Sequence, residues 1–132
     1  MKSASRRGGM TIVLRDSLWM LAISPAIWAL HFLLTYATAA VWCAKYAGDA
    51  GSLGAARIAI AVYTLIALVG IVVTAWIGYR RHTFGSASLP HDADTPQDRH
   101  RFMGFATLLL SVLSAVATLF VVTAAAFIGN CY

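Results

Sequence analysis

The chain is poor in charge, and in negative charge above all: five Asp and Glu stand against ten Lys and Arg in 132 residues, and charged residues make up 11 % of the whole. A typical water-soluble domain carries about a quarter of its residues as charged side chains. Three stretches, residues 17–44, 58–79 and 102–129, contain no Asp, Glu, Lys or Arg at all. Within them there can be no pair of carboxylates for acid–base work and no carboxylate to orient a nucleophile's base. Also missing are a Walker loop, GxGxxG, HExxH and CxxC, the signatures of phosphate cradling, dinucleotide binding, zinc hydrolysis and dithiol exchange. Intrinsic catalysis therefore has little support, and no catalytic residue, metal ligand or cofactor is expected.

What the chain has in abundance is apolar length, since 60 % of its residues are hydrophobic. About 20 apolar residues at about 1.5 Å rise each cover a hydrocarbon core of about 30 Å, and each of the three stretches is long enough. The expectation is an all-α integral membrane protein, a three-helix bundle in a single transmembrane domain over residues 17–131, preceded by a basic arm at 1–16. Membrane lipid is the expected surrounding.

The net charge of +5 points to orientation rather than to nucleic acid. Lys2, Arg6, Arg7 and Arg15 precede the first span, and Arg80, Arg81, Arg99 and Arg101 lie around the connection between the second and third. The connection after the first span carries only Lys45 and Arg57. This asymmetry predicts a cytoplasmic N-terminus and 80–101 loop, with the C-terminus outside. A secretory leader is the competing reading of the first stretch, with Arg6 and Arg7 as its basic region and Ala37, Ala39 and Ala40 as small residues for cleavage. The stretch is longer than a usual leader core and carries Trp19, Trp28 and Trp42, which favours a retained span.

Both cysteines, Cys43 and Cys131, then fall on the external side, at the ends of the first and third spans. In an oxidising space they would form one disulfide, and two unrelated thiols are the alternative. Asp16 and Ser17 suit a helix N-cap, Gly8-Gly9 a flexible joint before it, and Pro25 a bend in the first span. Another N-cap is expected near Thr95 to Asp98. The outer loop, with Gly48, Asp49, Gly51, Ser52 and Gly54, reads as a short turn with no ligand site. The segment His91-Asp92-Ala93-Asp94 has metal-binding residue types but no second ligand cluster to close a site.

Helical spacing sorts the polar residues onto faces. Ser24, Ile27 or Trp28, His31, Thr35 and Thr38 share one side of the first span; Tyr63, Ala67, Gly70, Thr74 and Gly78 form a small stripe in the second; Gly104, Thr107, Ser111, Ser114 or Ala115, and Thr118 form another in the third. Small and hydroxyl residues let helix backbones approach and bond without a hydrophobic force, so these faces are expected at helix or partner contacts. Leu18, Leu21, Leu30, Leu33, Leu109, Val112, Leu113 and Phe120 are expected toward lipid or a partner. Aromatic belts are expected at Trp19, Trp42, Tyr46, Trp76, Tyr79, Phe102 and Phe105.

His31 is the one ionisable side chain near the middle of a span, a functional candidate by default. Three roles compete: an axial haem ligand, a proton-relay or quinone contact beside Thr35 and Tyr36, and a neutral imidazole bonded across a helix contact. The third asks for least, because His82, His91 and His100 all lie on the cytoplasmic side and offer no second ligand at its depth.

A resemblance bears on function. The run Ser24-Pro25-Ala26-Ile27-Trp28-Ala29-Leu30-His31-Phe32, with Tyr36 and Cys43 after it, and the later Arg101-Phe102-Met103-Gly104 and Cys131, resemble small bacterial membrane proteins encoded beside haem-copper terminal oxidases and their copper-delivery factors. The resemblance implies a non-catalytic accessory or assembly subunit of a respiratory complex in the bacterial cytoplasmic membrane, with membrane-protein partner subunits. It carries no catalytic residues. An oligomeric channel or small transporter, and a haem- or quinone-binding electron-transfer subunit, are the alternatives.

Overall fold

The structure, a computed structural model, describes residues 2–46, 53–83, 96–129 and 131, with the backbone alone at 2–17, 96–97 and 100. Three helices make up the fold: α1 (Lys2–Lys45), α2 (Gly54–Thr83) and α3 (Pro96–Phe127). Each contains a segment long and apolar enough to cross a membrane, Leu18–Lys45, Gly54–Thr83 and Arg101–Phe127, so the chain is a multi-pass membrane protein of all-helical class. All three helices contact one another.

The helices are longer than the apolar stretches that announce them. Hydrocarbon sets the minimum length of a span and does not stop a helix at the interface, where backbone bonds continue to form. Thus α2 starts four residues before 58 and ends four after 79. Pro96 opens α3, at the first-turn position where a missing N–H is harmless, while α3 closes at Phe127, two residues short of 129.

The largest departure is at the N-terminus, where α1 runs unbroken from Lys2 through Gly8-Gly9, Asp16-Ser17 and Pro25. The expected cap at Asp16-Ser17 and joint at Gly8-Gly9 are not the start of the helix. At about 1.5 Å per residue its 44 residues reach about 66 Å, roughly twice a hydrocarbon core, so the first four turns project beyond the span as a helical arm. Asx and Gly residues lower helix propensity by a fraction to about 1 kcal/mol each, too little to halt a helix that propagates backward from a long, well-formed span. The segment His91-Asp92-Ala93-Asp94, Thr95 and most of the outer loop lie outside the described residues.

Burial is inverted relative to a soluble bundle. Buried positions include Ser24, His31, Thr35, Thr64, Thr74, Thr107, Ser111, Ser114 and Thr118, whereas Leu30, Leu33, Leu65, Val69, Leu109, Leu113 and Phe120 stand exposed. In water such a distribution would waste the hydrophobic effect. In lipid, tails are as apolar as Leu, so the large residues face outward at no penalty and polar groups gather where they can bond to one another. The buried series Gly104, Thr107, Ser111, Ser114, Thr118 of α3 alternates steps of three and four residues, while Ala56, Ile60, Thr64, Ala67, Ile71, Thr74, Gly78 of α2 opens with two steps of four before it does the same. Steps of three and four keep one face of each helix turned to its neighbours.

Candidate functional site: a polar seam between the helices

The hydroxyls of the seam are placed by an economy internal to each helix. Thr64 donates to the Ile60 carbonyl at 2.8 Å, Thr74 to Gly70 at 2.8 Å, Thr107 to Met103 at 2.8 Å, Ser111 to Thr107 at 2.8 Å and Thr118 to Ser114 at 2.8 Å. Each hydroxyl has one proton, and here it goes to the carbonyl one turn back. What remains facing a neighbouring helix is an oxygen that can only accept.

That accounting fixes the direction of two interhelical bonds. Ser24 Oγ lies 2.7 Å from Ser111 Oγ. Because Ser111 has given its proton to Thr107, Ser24 is the donor, and α1 is bonded to α3 at a position fully shielded on both sides. Seven residues further along α1, His31 Nε2 lies 3.0 Å from Thr64 Oγ1. Thr64 has likewise committed its proton to Ile60, so the imidazole donates from Nε2, joining α1 to α2. Thr35 Oγ1 sits one turn on at 3.5 Å from the same nitrogen, at the limit of a hydrogen bond. An Nε2–H proton means that Thr35 too can only accept.

Two buried atoms are left over among the described residues of α1. His31 Nδ1 and Trp28 Nε1 have no hydrogen-bond partner. With Nε2 protonated, Nδ1 of a neutral ring is an acceptor, while Trp28 Nε1–H is a donor, so the two are complementary in sense and lie within one turn of each other. The Trp28 ring also stacks on Phe32, with centroids 6.3 Å apart.

The ends of the bundle are closed by different means. On the side of Arg80, Arg81 and Arg101, Gly78 and Gly104 bring α2 and α3 into backbone contact: a Cβ built on Gly104 would lie 2.8 Å from the His82 nitrogen and 2.9 Å from the Gly78 carbonyl oxygen. Arg101 Nε there donates to the His82 carbonyl at 3.1 Å, and Arg80 lies over the Trp76 ring at 5.5 Å. On the opposite side a disulfide joins Cys43 to Cys131 with Cα atoms 5.6 Å apart, tying the end of α1 to the chain that follows α3. The expected pairing of the two cysteines is present.

Of the residues singled out in the sequence, Ser24, His31, Thr35, Thr74, Ser111 and Ser114 are buried, and Trp28, Thr38 and Gly70 half-buried. Gly70 faces α1, where a Cβ would lie 3.1 Å from Ile27 Cδ1. The seam of α2 departs from the expected stripe at one end: Tyr63 is half-buried, and Ile60 and Thr64 occupy the interior. Two participants escaped the sequence reading. Thr64, the acceptor for His31, lies one place beyond the stripe drawn through Tyr63; a search of the second span for a hydroxyl at the depth of His31 would have found it. Arg57, counted only as topogenic charge, donates through Nη2 to the carbonyls of Ala126 and Ile128 at 2.9 and 3.0 Å. It caps the C-terminal end of α3 from the first turn of α2, compensating carbonyls that have no helical partner.

No group of three or more metal-ligating side chains occurs among the described residues. No family model, curated protein or solved structure matches the chain.

Proposed function

We propose that the protein is an accessory or assembly subunit of a respiratory membrane complex, linked to a haem-copper terminal oxidase, that works through helix contacts rather than chemistry of its own. The observation that carries this reading is the allocation of polar groups. Ser24 and Ser111, and His31 Nε2 and Thr64, are engaged with one another between the helices, and Thr64, Ser111 and Thr118 each also bond to a carbonyl of their own helix, so these groups are spent on the bundle itself. The exterior left for other molecules is a continuous surface of large apolar side chains such as Leu30, Leu33, Leu65, Val69, Leu113 and Phe120, suited to lipid and to the helices of a larger assembly. The link to a terminal oxidase rests on the resemblance of the Ser24 to Phe32 run and the two cysteines to proteins encoded beside such oxidases.

In this reading the protein sits in a bacterial cytoplasmic membrane with its N-terminus and the 80–101 loop in the cytoplasm. The support is the eight-to-two distribution of Lys and Arg between the two sides. The Cys43–Cys131 disulfide then lies on the oxidising side, where such bonds persist. Reporter fusions at residue 90 and at the C-terminus should read cytoplasmic and external; the reverse pattern removes the orientation.

The functional test is deletion of the gene followed by complementation. Membranes of the deletion strain should show a reduced haem-copper oxidase difference spectrum and reduced cytochrome c oxidation, both restored by the wild-type chain. Unchanged oxidase content and activity would refute the assignment, and a Soret band on the purified wild-type chain that His31→Leu abolishes would replace it with an electron-transfer role.

A further inference from the structure

Toward the disulfide end a recess opens in the side of the bundle. A cavity of about 460 Å³ lies between all three helices, walled by Thr35 and Ala39 of α1, Ala56 and Ile60 of α2, and Ala124 and Ala125 of α3. Its volume falls within the range of about 300–1,000 Å³ that accommodates small-molecule ligands. The cavity has two distinct ends. Its inner end, at Thr35 and Ile60, adjoins the His31–Thr64 bond; its outer end reaches Leu53, Ile128 and Arg57, whose charged tip bonds to the end of α3 beside the apolar lining. Phe32, Tyr36 and Phe120 also line it and are themselves exposed on the bundle surface, so the hollow opens sideways to whatever surrounds the helices.

The surroundings of a spanning segment are hydrocarbon, and an apolar recess that opens onto hydrocarbon does not stay empty, because its lining would forfeit its dispersion contacts. Water is no substitute, since the walls offer almost nothing to bond it. The occupant must therefore supply an apolar chain. Its other end is dictated by Arg57. Two of the five guanidinium N–H groups go to the Ala126 and Ile128 carbonyls from Nη2, leaving Nε–H and the two protons of Nη1 without a partner among the described residues. Arg57 is set one turn into α2, at the membrane boundary, and no carboxylate neutralises it among the described residues. A cation with a free donor edge at that depth is matched by an anionic phosphate.

We propose that the cavity at the disulfide end is a binding site for one anionic phospholipid, an acyl chain lying between the helices and the headgroup phosphate held by Arg57. Moving a tail from bilayer to cavity gains little by itself, since both are hydrocarbon, so selectivity resides in the headgroup contact while the alanine walls give the chain its space. The site is independent of the oxidase assignment: it follows from cavity and charge and would exist whatever complex the protein serves.

The test is native mass spectrometry of the full-length, disulfide-intact, delipidated protein titrated with phosphatidylglycerol, phosphatidylcholine and an isoprenoid quinone. Wild type should take up one phosphatidylglycerol per chain at least ten-fold more tightly than phosphatidylcholine. Arg57→Gln should lose that preference, Arg57→Lys should keep part of it, and Ala39→Phe, which fills the recess and leaves Arg57 in place, should lose the bound lipid irrespective of headgroup. Helical content and the disulfide, checked in each variant, separate a lost site from a lost fold, and the wild-type headgroup comparison stands without any variant. Equal binding of the two phospholipids by wild type, unchanged selectivity in Arg57→Gln, tighter binding of the quinone, or a dimer that forms in place of lipid uptake would each overturn the proposal.

Discussion

The two ends of this bundle solve the same problem differently. At the arginine-rich end, α2 and α3 close on each other through Gly78 and Gly104, and the fit is so tight that a single added methyl would strike backbone. At the disulfide end a recess of about 460 Å³ opens among all three helices, and a covalent link and an arginine cap add to the packing of Ala56 and Ile60. In a soluble protein the hydrophobic effect would collapse such a hollow. In a membrane it contributes nothing between helices, so proximity must come from close backbone approach, from hydrogen bonds or from a covalent tie. The glycine end uses the first and the cysteine end the last, with Ser24–Ser111 and His31–Thr64 between them.

The contrast is sharpest where a methyl group meets backbone. Gly104→Val should destabilise the bundle by about 3 kcal/mol, at the upper end of overpacking penalties, because the His82 nitrogen and Gly78 oxygen belong to a packed helix and cannot turn aside. Reversible unfolding in mixed micelles would measure it, and a near-neutral result would mean that the two helices are not in backbone contact there. A comparable or larger substitution at the other end, Ala125→Leu, should be tolerated within about 0.5 kcal/mol, since it points into space rather than into a helix.

Next in size is the covalent tie. Linking residues 88 apart would stabilise a water-soluble chain by about 3–5 kcal/mol in the chain-entropy model, but helices already inserted have far less freedom to lose. Reduction, or Cys43→Ser with Cys131→Ser, should therefore cost about 1–2 kcal/mol and leave the Gly78–Gly104 end associated. Cross-linking of cysteines introduced at both ends in an otherwise cysteine-free background would report whether only the disulfide end opens.

The polar bonds come third. Ser111→Ala removes the acceptor for Ser24, and His31→Leu the donor to Thr64; each should cost about 1 kcal/mol, in keeping with interhelical hydrogen bonds in membranes. The double variant should show nearly additive losses, because the two bonds join α1 to different helices. As small as the Ala125→Leu effect is that of Gly70→Ala, whose Cβ would meet only the flexible tip of Ile27 at 3.1 Å and should shift stability by less than about 0.5 kcal/mol. Placed beside Gly104→Val, it shows that small residues on a helix face are not equivalent.

Much of the fold is legible in the chain before any coordinates. Uncharged length gives the number of spans, and helical spacing puts Ser24, His31 and Thr35 on one face of α1 and Gly104, Thr107, Ser111, Ser114 and Thr118 on one face of α3, all of them buried. The helix start expected at Asp16-Ser17 is not there, because that pair satisfies the local grammar of an N-cap while a long apolar helix downstream carries the backbone through it. Thr64 was missed because a stripe drawn by spacing has no means of choosing between neighbours such as Tyr63 and Thr64.

The sequence by itself determined that three helices form and which of their faces are polar, because both follow from local periodicity and from the exclusion of charge from hydrocarbon. It also confined the two cysteines to the same side of the membrane, which is a matter of counting spans. Only the tertiary structure decided that Ser24 meets Ser111 and His31 meets Thr64, which protons those bonds use, that Gly78 faces Gly104, and that Arg57 stands in the wall of a cavity. These depend on the relative rotation and depth of the helices. That choice is made by many small contacts across the bundle, to which no single stretch of sequence has access.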